Sequence, residues 1–247
     1  MAISTNPLAW LRSVQPRRAI ALLLLLLPLT VGAQTVRDLW LSMPPSLVPY
    51  LSTSLRTQCL DFYDMHTDAQ TDNALKGKSR IDTLTSTFLA ATLSKAHTLQ
   101  MKLLPASGSG SGSASGSASG LGSSMVSGSG SSSSLSSCDS VLCVVRSWDG
   151  PKRDSELQLF DRQWKPLQAP LTFSADSFVC RPDTMSEERF SRLVALLDPI
   201  MFSVSLSPAE NVLLVKLSPV VPNPEDEKAI EQILVQRKLK WDGKIFK

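Results

Sequence analysis

A run dominated by serine, glycine and alanine, ASGSGSGSASGSASGLGSSMVSGSGSSSSLSS, occupies residues 106 to 137 of this 247-residue chain. The run carries no charge and no aromatic ring. A segment of this composition cannot bury enough apolar surface to offset the entropy of ordering it, so we predict that it is disordered. The rest of the chain must therefore fold either as two domains joined by this run or as one domain that carries it as a loop.

Strand patterns flank the run on both sides. Leu99, Met101 and Leu103 alternate with polar residues, which is typical of a half-buried strand, and SVLCVVRSW at residues 140–148 is typical of a buried one. We expect these strands to be hairpin neighbours, because lengthening a hairpin loop from about 4 to about 32 residues costs only roughly 2 kcal/mol. We therefore predict a single domain over residues 34–247 with the run as an insertion; an interdomain linker is the alternative.

The N-terminus has the pattern of a secretory signal peptide. Three arginines precede an apolar segment, Ala19–Val31, and small residues stand before Gln34. The apolar segment is shorter than the roughly 20 residues of a membrane-spanning helix, and Pro28 interrupts it. We predict that residues 1–33 are removed after export, that the protein is periplasmic or envelope-associated, and that no transmembrane helix remains.

Net charge restricts the partners that this protein can have. The arginines of the N-terminal segment account for the whole formal charge of +3, so the remaining chain is neutral. A neutral chain lacks the basic surface with which proteins attract nucleic acid, and we predict no nucleic-acid partner.

Cysteines and histidines give no metal-site pattern. Cys59, Cys138, Cys143 and Cys180 could pair in three ways after export, although Cys138 and Cys143 could pair only if the chain turns back between them. Cys59 and Cys143 fall in apolar patterns, and we expect them to be packed thiols or partners of more distant cysteines. The spacings do not match a zinc site, and both histidines lie far from the cysteines in sequence. We predict no metal and no cofactor.

Two short stretches invite a ligand-binding interpretation that their residues do not support. GKS at Gly77 lacks the glycine five places earlier that a phosphate-binding loop needs, because Asp72 stands there. DMHTD, with Asp64, His66 and Asp68, would need its side chains to converge on an ion, and residues at this spacing do not share a helical face. We interpret DMHTD as a solvated helix end.

Catalytic patterns are also missing from the sequence. A nucleophilic serine or cysteine needs a base within hydrogen-bond reach, and there is no Gly-x-Ser-x-Gly motif. His97 falls in a predicted strand or turn and has no recognisable partner. We therefore name no catalytic residue.

Helical spacing dominates the region after Gln34. Thr35 followed by Asp38 predicts a capped helix, and a second short helix is expected near Ser46. A third helix is predicted over SLRTQCLDFYDMH, with Arg56 among its solvent-facing residues.

The second half of the chain shows clearer helix and strand signals. Thr184 and Glu187 form a predicted capping box, and Asn223 is expected to cap a last helix that starts with Pro224. Strands are predicted before, between and after these helices. This order predicts an α+β fold of antiparallel β-sheets covered by helices.

The C-terminal tail concentrates cations and aromatic rings. Lys238, Lys240 and Lys244 flank Trp241 and Phe246. Such a tail could form a basic and aromatic binding surface for an anionic partner or a membrane face. The same pattern is more typical of a final strand with one solvated side, and we favour this second interpretation.

Several separated motifs together resemble one protein family. They are AQTVRDLWLSMPPSLVPYLSTSLRTQCLDF, LKGKSRIDTLT, CDSVLCVVRSW, WKPL and LKWDGKIF. In this order they resemble a domain-of-unknown-function family of short exported proteins of Bacteroidales, the Bacteroides and Prevotella group. The resemblance covers nearly all of the chain after residue 33 except the serine and glycine run. It implies an exported, envelope-associated protein and supplies no activity and no catalytic residues.

Two functions remain open at this level. The first is a non-enzymatic binding or accessory module that recognises an envelope protein or peptide through a sheet face or edge, and we favour it. The second is an extracytoplasmic hydrolase with a pair of carboxylates assembled from distant positions. Tryptophans at positions 40, 148, 164 and 241 could line a groove, although such residues are more often part of the core.

Overall fold

The computed structural model describes residues 34–106, 140–168, 173–221 and 223–247, and the first range opens with helices α1, Val36–Ser42, and α2, Thr53–Asp64. Thr35 caps α1 as predicted, since its hydroxyl accepts a hydrogen bond from the backbone N–H of Asp38 and the Asp38 carboxylate accepts one from the backbone N–H of Thr35. The predicted signal peptide, the run beyond Ala106 and Cys138 lie outside the described residues.

The short helix predicted near Ser46 is wrong, because this segment consists of turns. The N–H of Leu47 bonds to Pro44 O at 3.1 Å, and the N–H of Leu51 bonds to Val48 O at 3.2 Å. Pro49 has no N–H to donate and restricts the residue before it, so a continuous helix cannot pass through this segment.

Within the described ranges, an antiparallel sheet of seven strands follows, in which each strand pairs with the next one along the chain. Its strands are β1 Thr71–Asp72, β2 Lys78–Leu84, β3 Phe88–Ser94, β4 His97–Pro105, β5 Ser140–Asp149, β6 Arg153–Phe160 and β7 Pro166–Leu167.

The strands on either side of the serine and glycine run are partners, as predicted. β4 pairs with β5 from His97 opposite Trp148 to Pro105 opposite Ser140. The chain therefore leaves the sheet at Pro105 and returns to it at Ser140 on the adjacent strand. Adjacent antiparallel strands joined in this way form a hairpin, whereas a linker would join segments of separate sheets.

A second antiparallel sheet forms from the C-terminal part of the chain. It contains β8 Phe202–Leu206, β9 Val212–Leu217 and β10 Arg237–Lys240, in the order β10-β9-β8. Helices α3, Glu187–Ala195, and α4, Pro224–Glu231, accompany it. Asn223 caps α4 as predicted, because its side chain accepts a hydrogen bond from the N–H of Glu225 at 3.0 Å.

Helix α3 begins later than predicted, with Ser186 and not Thr184 as its cap. The Ser186 hydroxyl accepts a hydrogen bond from the N–H of Arg189 at 3.3 Å. Thr184 is occupied by a preceding turn, in which the N–H of Met185 bonds to Pro182 O at 3.0 Å.

Both faces of the large sheet are covered along its central strands. Helices α1 and α2 pack on one face, where residues such as Trp40, Leu89 and Leu99 form one apolar core. The second sheet packs on β4, β5 and β6 from the other side, where Leu104, Cys143 and Val215 belong to a second core. The predicted α+β class is confirmed, and the described residues from Gln34 onward form one domain.

Two cations that the sequence placed at the surface are buried. Arg56 is 2% exposed, and its guanidinium donates to the carbonyls of Trp40 and Met43 at 3.0 and 2.6 Å. It thereby satisfies carbonyls at the end of α1 that the helix itself leaves free.

Lys102 is the second buried cation. We predicted that β4 is half-buried, but it is covered on both faces, and Lys102 lies on the face covered by the second sheet. The Lys102 ammonium donates to the carbonyls of Ser207, Pro208 and Glu210 at 2.6, 3.1 and 2.8 Å. Burial lowers its pKa. These bonds connect the large sheet to the turn between β8 and β9.

Candidate functional site

A cluster of aromatic rings lies where β4 begins and β5 ends. His97 and Trp148 are directly opposite each other in the β4–β5 pairing, and their rings stack with centroids 5.0 Å apart and an interplanar angle of 12°. Tyr50 reaches the same place from the turns between α1 and α2, with its ring centroid 5.9 Å from that of His97. Its carbonyl accepts a hydrogen bond from the N–H of Ala74 at 3.0 Å, which fixes this turn against the sheet.

The polar atoms of His97 are enclosed. Nδ1 is hydrogen-bonded to the Tyr50 hydroxyl, and Nε2 is buried with no partner among the described residues. Burial, together with the charge of Arg146, lowers the pKa of His97 to about 4, and burial raises the pKa of Tyr50 to about 12. Both side chains are therefore uncharged at neutral pH.

Arg146 completes the cluster on the same face of β5. Its guanidinium carbon lies 5.6 Å from the centre of the Trp148 ring, within the range of a cation–π contact. The guanidinium donates to Glu156 Oε2 at 2.6 Å and to Leu47 O at 3.2 Å. These bonds fix the charge beside Trp148.

Trp148 is the exposed member of the cluster. It is 39% exposed, whereas Trp40, Trp164 and Trp241 are each at most 9% exposed. We refer to Tyr50, His97, Arg146, Trp148 and Glu156 together as the Trp148 face. Chemically, it combines a partly exposed indole with a fixed cation and a carboxylate, which can contact apolar, aromatic and polar groups of a partner.

The residues predicted in the C-terminal tail do not form a joint surface. Trp241 and Phe246 are buried in the second core with ring centroids 5.0 Å apart, and Trp241 Nε1 donates to Pro105 O at 2.6 Å. Lys238 pairs with Glu210 at 2.7 Å, and Lys240 and Lys244 are exposed. The rings and the ammonium groups thus point to opposite sides, as in a strand with one solvated face.

The DMHTD stretch lies at the end of α2. Asp64 is the last helical residue and forms an ion pair with Arg37, while His66 and Asp68 are exposed. In the part of the chain that the structure describes, no three His, Cys, Asp or Glu side chains are grouped as metal ligands.

The fold also places Gly77 and the three described cysteines. Gly77 lies in the turn between β1 and β2. Cys59 and Cys143 are buried free thiols, Cys180 is an exposed free thiol, and burial raises the pKa of both Cys59 and Cys143.

The Trp148 face is not apparent in the amino-acid sequence because its members come from distant positions. The pairing of His97 with Trp148 follows once β4 and β5 are placed in register, so the sequence contained a usable signal for this pair. Tyr50 carried no such signal, because it lies in turns without a periodic pattern.

The fold and this face together define a class of protein: an α+β domain with a seven-stranded antiparallel meander, a second sheet on one side and an aromatic face at one hairpin end. The chain belongs to the family described as Protein of unknown function (DUF3256), which matches residues 28–111 and 133–246. The predicted membership of a domain-of-unknown-function family is confirmed. The unmatched stretch between the two segments falls inside the serine and glycine run.

A solved structure with a similar fold is a domain of an uncharacterized protein from Porphyromonas gingivalis W83. Its TM-score is 0.59, with 21% sequence identity over 86% of this chain and 98% of that chain. This similarity concerns the fold. No curated protein matches the chain. Among the described residues, no helix is long and apolar enough to cross a membrane.

Proposed function

We propose that this protein is a non-enzymatic binding or accessory module of the bacterial cell envelope that recognises a protein or peptide through the Trp148 face. The observation that carries this proposal is the exposed indole of Trp148 beside Arg146, His97 and Tyr50. Tryptophan, tyrosine and arginine are the side chains that contribute most of the binding energy in protein interfaces.

The geometry of this face favours binding for a second reason. Trp148 is stacked on His97, His97 is bonded to Tyr50, and Arg146 is held by Glu156 and the carbonyl of Leu47. Side chains that are already fixed lose little conformational entropy when a partner docks. The face is thus preorganised for association.

The ionisation of the carboxyl groups supports binding over hydrolysis. The pKa values of five carboxyl groups lie below the ordinary range, so these groups are ionised at neutral pH and none of them suits the role of a proton donor; they are Asp38, Asp64, Glu188, Glu210 and Asp242. A carboxylate-based hydrolase needs at least one carboxyl group with a raised pKa to donate a proton at neutral pH.

Export is the second part of the proposal and rests on the N-terminal segment. The basic residues before Ala19–Val31 and the small residues before Gln34 are typical of a secretory signal peptide. The resemblance of the sequence motifs to a family of exported Bacteroidales proteins also implies an envelope-associated protein. Fractionation of cells that express the full chain should place the protein outside the cytoplasm, with Gln34 as its first residue. A cytoplasmic protein that retains residues 1–33 would contradict export.

Peptide selection tests the binding role. Peptides from a random displayed library are selected on residues 34–247, and their affinities for wild-type and Trp148→Ala protein are then compared. We expect the Trp148→Ala affinities to be at least about tenfold weaker, since truncating a central interface tryptophan costs roughly 2 kcal/mol or more.

The matched control is Ile200→Ala, which removes a 50% exposed apolar side chain outside the Trp148 face. It should leave the affinities unchanged. Selected peptides that bind Trp148→Ala as tightly as wild type, or a library that yields no binders, would count against the proposed role.

A further inference from the structure

The second sheet covers only part of one face of the large sheet, and the part of that face near β2 is open. On β2, Lys78 and Arg80 are exposed and alternate with Ser79 and Ile81, which are buried on the side of helix α2. The second sheet packs on β4, β5 and β6, so β2 and the adjoining part of β3 remain open on this side. A cavity of about 540 Å³ lies there, next to the turns that connect β1 with β2 and β3 with β4.

The charged residues that line this cavity are all cations. They are Lys76, Lys78, Arg80 and Lys95. Lys78 pairs with Asp72 at 2.6 Å and Arg80 pairs with Asp82 at 2.7 Å, and neither aspartate lines the cavity. Lys76 and Lys95 form no ion pair with any described residue. In a chain that is neutral from Gln34 onward, this local excess of positive charge is a distinct feature.

The turn that carries Lys76 is held firmly in place. The Asn73 side chain accepts hydrogen bonds from the N–H groups of Leu75 and Gly77, each at 3.0 Å, and donates to Leu93 O on β3 at 2.7 Å. Lys76 adopts a φ of 58°, a left-handed conformation in which a glycine would be less strained. The lysine at this position is thus presented from a fixed backbone.

The two turns also touch each other. A Cβ atom on Gly77 would lie only 3.2 Å from Ser94 Cβ, so the β1–β2 turn is pressed against the end of β3. Lys95 follows Ser94 directly in the β3–β4 turn. Lys76 and Lys95, which form no ion pair with the described residues, therefore lie on adjoining, mutually supported turns.

We propose that this cavity binds a small soluble ligand through a phosphate group. Phosphate oxygens accept short, charge-assisted hydrogen bonds from lysine and arginine side chains. The volume of about 540 Å³ exceeds that of a phosphate ion and falls in the usual range for small-molecule sites. The aliphatic stems of the lysines would cover the body of the ligand. A concave site of this size fits a soluble phosphate monoester better than the surface of a bilayer.

The test is an amide chemical-shift titration of residues 34–247 with three probes. These are inorganic phosphate, glucose 6-phosphate, and vesicles of phosphatidylcholine with or without phosphatidylglycerol. We expect glucose 6-phosphate to give saturable shifts in the β1–β2 and β3–β4 turns. The double variant Lys76→Gln, Lys95→Gln should weaken this binding by about tenfold or more, because it removes two charge-assisted contacts.

The control variant is Lys240→Gln, Lys244→Gln, which removes the same charge from exposed positions near the C-terminus. It should bind glucose 6-phosphate like wild type. The proposal is overturned if the turns do not respond to glucose 6-phosphate, if both double variants weaken binding equally, or if only vesicles with phosphatidylglycerol bind. A result at this cavity is independent of the Trp148 face, because the two sites share no residue.

Discussion

His97 shows how a single buried residue couples the candidate site to the stability of the protein. It is 7% exposed, stacks on Trp148 and bonds to Tyr50. Its folded-state pKa of about 4 lies below its ordinary value of 6.5. Between these two pH values the unfolded chain binds a proton that the folded protein does not, so lowering the pH through this window stabilises the unfolded state.

The pH dependence of stability tests this account of His97. The free energy of unfolding of wild type, measured by urea denaturation, should fall as the pH is lowered from 6.5 towards 4. His97→Gln should be less stable at neutral pH because it loses the ring contacts, and its stability should depend less on pH in this window. His66→Gln, at the other and exposed histidine, should keep the wild-type dependence. A His97→Gln protein with the wild-type slope would contradict the account.

At the scale of elements, turns and caps decide where the helices and strands begin and end. Caps at Thr35 and Asn223 were readable because the capping side chain and its target are close in sequence. The β1–β2 turn was not readable in the same way, since Asn73 bonds both to its own turn and to Leu93 on β3. Its shape depends on a strand that follows later in the chain.

Substitution of Gly77 tests how tightly this turn is packed. A Cβ atom at Gly77 would lie 3.0 Å from Asn73 Nδ2 and 3.2 Å from Ser94 Cβ. We expect Gly77→Ala to lower the free energy of unfolding by about 1–3 kcal/mol, the usual cost of inserting an atom into a packed site. At Gly150 the nearest atom to an added Cβ would be Lys152 O at 3.7 Å. Gly150→Ala should therefore stay within about 0.5 kcal/mol of wild type in urea denaturation, and equal effects of the two variants would contradict this packing argument.

For the whole molecule, the pairing of β4 with β5 and the contact between the two sheets determine the architecture. The β4–β5 pairing brings Pro105 next to Ser140 across the serine and glycine run. The contact between the two sheets includes Lys102, whose ammonium donates to three carbonyls of the β8–β9 turn. Both join segments that are distant in sequence, so the described domain depends on long-range contacts.

Shortening the run tests whether it is an insertion in one domain. Replacing residues 107–139 with a short turn should preserve a single cooperative unfolding transition, because Pro105 and Ser140 are already paired. The free energy of unfolding should stay the same or rise by up to roughly 2 kcal/mol, the cost of closing the longer loop. Urea denaturation followed by two probes, tryptophan fluorescence and circular dichroism, measures this. Two separate transitions would show that the flanking segments do not fold together.

The amino-acid sequence by itself determined the α+β class, most strand positions, the β4–β5 hairpin and two helix caps. These features follow from local periodicity and from side chains that bond to nearby backbone. Tertiary structure alone decided that Arg56 and Lys102 are buried and that Tyr50 meets His97. The physical reason is that burial and hydrogen-bond partners are set by which surfaces pack together, and the partners of these residues come from other parts of the chain.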